Sequence, residues 1–240
     1  MERDMTTGKP AKILLNFTIP IFIGNVFQQF YSMADTVIVG KFVGNTALAA
    51  VGACGTLTFL ILGFLMGMTA GFTVVTAQHY GAGNDKAMRR SVASAAILSL
   101  VVSVLLTAVS MALMRDVLNW MNTPMDMYDQ AYAYIMVICG GIVAQVLYNL
   151  LAGILRAIGD SKRPLYFLIL AALLNIVLDL VFIIVFHMGA AGAAYATVIS
   201  QGVSGLLCLF YIIKYVPELH LHREDWKADW NLMKWQMKIG

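Results

Sequence analysis

Six apolar runs, each long enough to cross a bilayer, restrict this chain more than any other feature of it. A helix needs about 20 mostly apolar residues to traverse the hydrocarbon core. Such runs extend over roughly 13–40, 57–78, 92–114, 131–155, 165–186 and 191–215. Their length points away from a barrel, whose strands would alternate polar and apolar residues over about 10 positions. Composition agrees: 60% of the 240 residues are hydrophobic and 12% charged, where soluble domains have about 45–50% and about 25%. The expected fold class is an all-α membrane protein, a six-transmembrane-helix bundle. Residues 1–12 then form an amino-terminal tail, 13–215 the bundle, and 216–240 a linker segment.

Basic residues orient the bundle. Cytoplasmic loops carry an excess of Lys and Arg, and fourteen of the sixteen here fall on one side. They are Arg3, Lys9 and Lys12 in the tail, Lys86, Arg89 and Arg90 in the second loop, Arg156, Lys162 and Arg163 in the fourth, and Lys214, Arg223, Lys227, Lys234 and Lys238 at the end. Only Lys41 and Arg115 fall on the other. Both termini are expected on the cytoplasmic face. The same scatter excludes a nucleic-acid partner, which would need a basic patch. Cys54, Cys139 and Cys208 lie inside apolar runs with no ligand spacing and read as small core residues. No cofactor is expected.

Two charges lie well inside the runs, Asp35 in the first and Asp179 in the fifth. Placing a carboxylate in the bilayer costs about 2.5–3.5 kcal/mol even on insertion scales, so an intramembrane carboxylate points to a functional cavity. Counting from the ends of their runs at ~1.5 Å per residue puts both within ~8–11 Å of the outer boundary, at a similar depth. Their neighbours are polar as well. Asn175 precedes Asp179 by one helical turn, and Thr197 and Gln201 form a second pair of that spacing. Asn25, Gln28 and Gln29 lie on the first span. Carboxylate, amide and hydroxyl oxygens suit a hard cation such as Na⁺, and the same groups suit a shared proton. Gln28, Gln29 and Gln201 read more readily as hydrogen-bonding links between helices than as ligands, and Tyr132 and Tyr134 as cavity lining or as interfacial anchors. Pro20 removes a backbone hydrogen bond inside the first span, where a hinge is expected. Gly63, Gly67 and Gly71 make a stripe for close helix packing on the second span. Trp226, Trp230 and Trp235 mark the last segment as interfacial or as a solvated linker.

Several stretches together resemble the amino-terminal half of multidrug and toxic compound extrusion (MATE) transporters, in the bacterial branch that includes DinF-like proteins. They are Ile19-Pro20-Ile21, Asp35-Thr-Val-Ile-Val-Gly40, Gln78-His-Tyr-Gly-Ala-Gly83, Arg156-Ala-Ile-Gly-Asp-Ser-Lys-Arg-Pro164 and Asn175-Ile-Val-Leu-Asp179. The resemblance implies one six-helix lobe of a twelve-helix secondary antiporter of the bacterial inner membrane. Such a transporter exports organic cations or amphipathic drugs in exchange for Na⁺ or H⁺. It implies Asp35, Asn175, Asp179 and Thr197 as the cation-binding residues, and as the ligands of Na⁺ if that is the coupling ion. It extends to Tyr134 as a cavity residue and to Pro20 as the bending point, while Asn25, Gln28 and Gln201 are expected as cavity residues from their polar character within the spans. The chain ends where a second lobe would begin, so a fragment is expected, working with a second lobe or a second copy of itself. The rival readings are a lipid-linked oligosaccharide flippase of the same superfamily and a non-transporting membrane assembly protein. An intramembrane aspartyl protease would need Gly-x-Gly-Asp at one of the carboxylates, and neither Asp35 nor Asp179 has it, so no enzyme is expected.

Overall fold

The computed structural model describes residues 10–226 and 229–240; Arg3, Lys9 and Lys227, three of the expected orienting cations, lie outside them. Eight α-helices account for most of the described chain: α1 (Pro10–Phe42), α2 (Asn45–Gly81), α3 (Asp85–Trp120), α4 (Met125–Gly140), α5 (Ile142–Ala157), α6 (Lys162–Leu180), α7 (Gly189–Tyr215) and α8 (Trp230–Ile239). A π-helical turn, Val181–Val185, prolongs α6, and a 3₁₀ turn, Pro217–Leu219, follows α7. Short turns separate α1, α2, α3, the bent α4–α5 pair, α6 with its π turn, and α7, so successive long segments run in alternating directions. α2, α3, α7 and α6 with its π turn are long and apolar enough to span a membrane, and the α4–α5 pair qualifies together as a bent span. α1 is equally long, but Asn16, Asn25, Gln28, Gln29 and Asp35 interrupt its hydrophobicity. At about 1.5 Å per residue, the 37 residues of α2 outrun the ~30 Å hydrocarbon core, so the helix extends beyond the run that hydropathy alone marks.

The fourth span departs from expectation. The sequence predicts one helix over 131–155, whereas α4 and α5 meet at a bend of 46° at Gly140 and Gly141. The cause is local: a Cβ on Gly141 would overlap the Val198 side chain of α7. The glycine lets α7 come close, and the helix turns at the contact.

α5 forms the centre of the bundle. Ile142, Val146, Leu150, Ile154 and Leu155 are buried against α2, α3 and α7. Several hydroxyls on α2 are satisfied without breaking the packing: Thr69 and Thr73 donate to carbonyls of their own helix, and Thr76 Oγ1 pairs with Ser91 Oγ at 3.0 Å. Cys54, Cys139 and Cys208 are all fully buried and unbridged, as the sequence predicts.

The turns at one end hold the basic residues. There Asn84 Oδ1 accepts from Ala87 N to cap α3, and Asp160 Oδ1 accepts from the backbone of Lys162 and Arg163 to start α6. The segment after α7 folds back onto this end. Asp225, nearly buried, pairs with Arg89 at 3.3 Å and accepts from His222 N at 2.9 Å. Burial alone would push its carboxyl up, but the His222 backbone and the Arg89 guanidinium outweigh that and hold it below the usual carboxylate range. α8 then descends antiparallel to α2. Its Gln236 is fully buried and donates to Ser91 O at 2.9 Å and to Ser91 Oγ at 3.1 Å.

Candidate functional site

Near the opposite end, α1, α6 and α7 converge around two carboxyl groups. A satellite cluster holds them in register: Ile38 and Val39 of α1, Ala47 of α2, Ile183 of the π turn, and Ala190 and Ala193 of α7. Close packing of α7 on the π turn depends on Gly192, where a Cβ would approach Phe182 and Ile183 to 3.2 Å. Gln130 Oε1 accepts from Ala190 N at 3.0 Å and satisfies one of the donors at the start of α7. The π turn begins two residues after Asp179. Single-turn π segments widen a helix locally and are frequent at functional positions; no residue type in Val181–Val185 announces this one.

Hydrogen bonds link three of the four residues named from the sequence, and the fourth, Asp179, lies against them. Thr197 Oγ1 donates to Asp35 Oδ2 at 3.1 Å, and Asn175 Nδ2 donates to Thr197 Oγ1 at 3.4 Å. Asp179 is fully buried, Asn175 is 1% exposed, and Asp179 faces Asp35 within hydrogen-bonding reach. One turn further inward, Gln201 Nε2 donates to the Tyr31 hydroxyl at 3.3 Å, so Gln201 does link two helices. Tyr31 lies four residues before Asp35 on the same face of α1. It has no place among the residues expected from the sequence, although that spacing would have found it. Gln28 reaches Tyr31 as well, and Tyr134 lies in electrostatic range of both carboxyls. Asn25 stays on the exposed face of α1, apart from this cluster, and Pro20 is buried inside an unbroken helix.

Four oxygens of the cluster are buried without any donor among the described residues: Asp35 Oδ1, both oxygens of Asp179, and Asn175 Oδ1. Buried polar atoms are almost always paired. Two ionised carboxylates cannot serve each other, because each only accepts. A proton held between the carboxyls or a cation among the oxygens would satisfy them. Two carboxylates, an amide and a hydroxyl form an all-oxygen set of the kind hard cations take. Among the described residues no three His, Cys, Asp or Glu side chains gather to hold a metal ion, so the set owes half its donors to neutral groups.

A family model described as MatE matches residues 20–181, a stretch that includes Pro20, Asp35, Asn175 and Asp179. The chain is 35% identical over 239 residues to "Probable multidrug resistance protein YpnP" of Bacillus subtilis, covering 99% of this chain and 54% of that protein. It is 30% identical to "Probable multidrug resistance protein NorM" of Thermotoga maritima, covering 95% of this chain and 50% of the relative. Among solved structures, a multidrug resistance MATE family transporter of the MOP superfamily, in its outward-facing conformation, superposes with a TM-score of 0.90 at 28% identity. It covers 96% of this chain and 51% of the other. The chain thus spans about half the length of the curated relatives it matches.

Proposed function

The chain belongs to the MatE family, and from that membership we propose that it is the amino-terminal lobe of a secondary antiporter. The transporter exports organic cations or amphipathic drugs in exchange for Na⁺ or H⁺. Its basic end faces the cytoplasm of a bacterial inner membrane, following the bias of its Lys and Arg residues. The observation that carries this reading is the buried set of unpartnered oxygens on Asp35, Asp179 and Asn175. A carboxylate pair without donors is tolerable only when something positive is bound there, so the two states of the site, loaded and empty, differ strongly in energy. A coupling ion needs such a difference, because a ligand shifts a conformational equilibrium only by its differential affinity for the two states.

In this mechanism a cation or proton loads the Asp35–Asp179 pair, Thr197 and Asn175 orient the carboxyl oxygens, and Tyr134 lines the site beside them. Loading lets α1 draw toward α6. Pro20 is the position where α1 bends, because the ring removes one backbone hydrogen bond there. Movement of α1 reshapes the cavity that holds the organic substrate, and the two ligands compete through it. A second lobe, or a second copy of this chain, supplies the other wall of that cavity. Support for this comes from the exposed apolar face of α1 and α2, which carries Phe22, Phe30, Val37, Phe59 and Phe64.

The test is dye efflux from proteoliposomes containing the assembled twelve-helix transporter, under imposed Na⁺ or H⁺ gradients. Asp179→Asn and Asp35→Asn are expected to abolish gradient-driven efflux while inserting normally, and the gradient that drives the wild type names the ion. Efflux at the wild-type rate in both variants would end the proposal.

A further inference from the structure

A second cavity lies at the basic end, far from the carboxylate pair, between the α2–α3 turn and the start of α8. It encloses about 450 Å³, within the ~300–1,000 Å³ of ordinary ligand sites. Lys86 and Arg90 sit one turn apart on α3 and line one wall, and His79 at the end of α2 lines another. Trp235 closes the side toward α8, standing edge-on to His79 with ring centroids 5.9 Å apart. Asn231 and Asp229 complete the rim.

Among the described residues that line this cavity, the cations outnumber the carboxylates. Among the described residues, no carboxylate comes within 4.0 Å of Lys86 or Arg90; their neighbour Arg89 is the one held by Asp225. Asp229, the one carboxylate on the rim among the described residues, uses Oδ1 to accept from Asn231 N and Leu232 N at the start of α8. Two cations therefore face a concave space with one already engaged anion opposite. The level of the cavity is also marked. Trp235 on its wall is 40% exposed, and Trp230, between the rim residues Asp229 and Asn231 in sequence, is 63% exposed; tryptophans of membrane proteins gather where headgroups meet water.

We propose that this cavity binds the phosphate of an anionic phospholipid headgroup, with Lys86 and Arg90 as the charge-bearing contacts and His79 and Trp235 as its walls. Arg90 offers a planar fork to phosphate oxygens and Lys86 a point charge. The occupied site would join α8 to the α2–α3 turn, fastening the strap that follows α7 at a point separate from its Asp225–Arg89 pairing. The inference does not depend on the transport reading, since it uses none of the residues of the carboxylate pair.

The experiment is native mass spectrometry of the purified 240-residue chain, titrated with phosphatidylglycerol and, separately, with phosphatidylcholine. A saturable preference for phosphatidylglycerol is expected in the wild type. Lys86→Gln combined with Arg90→Gln should weaken it roughly thirtyfold, about fivefold for each cation removed, whereas Lys86→Arg retains it. Lys162→Gln combined with Arg163→Gln removes the same charge elsewhere on the basic end and should leave the preference intact. An equal loss in that control, or no preference in the wild type, overturns the site. Inorganic phosphate is the third arm. Saturable binding of phosphate alone, abolished by the Lys86 and Arg90 substitutions and unaccompanied by a lipid preference, would overturn the lipid source in favour of a soluble anion.

Discussion

Thr197 is the pivot of the carboxylate site. Its hydroxyl donates to Asp35 and accepts from Asn175 in the same arrangement, so one atom fixes the geometry of both. Thr197→Val keeps the shape and deletes both links. A hydrogen bond to a charged partner contributes about 1.5–3 kcal/mol, so apparent affinity for the coupling ion should fall by about tenfold or more, measured by the Na⁺ or pH dependence of efflux. Maximal rate at saturating ion should change far less, because Asp35 and Asp179 both remain. An unchanged ion dependence would assign Thr197 to packing alone. Much of this site was legible in the sequence because its expensive residues stand out: a carboxylate within an apolar run has no cheap explanation. The (i, i+4) partners followed from helical geometry. Tyr31 was missed because a tyrosine in a membrane span is unremarkable by composition, and only its contact with Gln201 shows that it belongs.

Elements were legible to the extent that hydrophobicity reports them. Run length predicts six spans, and the helices are there, but their ends extend further, since polar residues continue a helix into the headgroup region as readily as apolar ones. Breaks were not legible. Nothing in Gly140-Gly141 distinguishes a bend from ordinary glycine packing, and the bend depends on Val198, 57 positions later. This contact yields a prediction about the element. Gly141→Ala drives a methyl into Val198, and overpacking of this kind costs about 1–3 kcal/mol. The thermal midpoint in detergent should drop accordingly, and Val198→Ala in the same chain should recover a large part of it. A midpoint unaltered by Gly141→Ala would mean that α4 and α5 adjust freely and that the bend is not set by α7. The π turn after Asp179 belongs to the same class: it is decided by the packing of Ile183 among Ala190 and Ala193, which no local pattern encodes.

At the scale of the whole molecule, exposed apolar side chains mark where helices outside the bundle or lipid can pack. α1 packs mainly along α6, leaving Phe22, Phe30 and Met33 exposed, and α2 presents an exposed face with Phe59, Leu60 and Phe64. The glycine stripe of α2 explains how this face is meant to be approached. At Gly71 a Cβ would overlap the backbone of Gly240, so the end of α8 already lies against the stripe. Gly67 and Gly63, one and two turns further along the direction in which α8 descends, have nothing within 4 Å of a Cβ position. Small residues at this spacing allow two helices to touch backbone to backbone, the main means of association where lipid removes the hydrophobic drive. The open glycines therefore provide a seat for a helix arriving along the path of α8. Gly67→Leu should fill that seat without disturbing the lobe, because no atom of the lobe occupies it. The expected outcome is an unchanged thermal midpoint for the 240-residue chain together with loss of the proposed association, read by cross-linking against a co-expressed second six-helix half and against a second copy. Association retained with both partners would show that the stripe is lipid-facing and that the lobes meet on α1 alone.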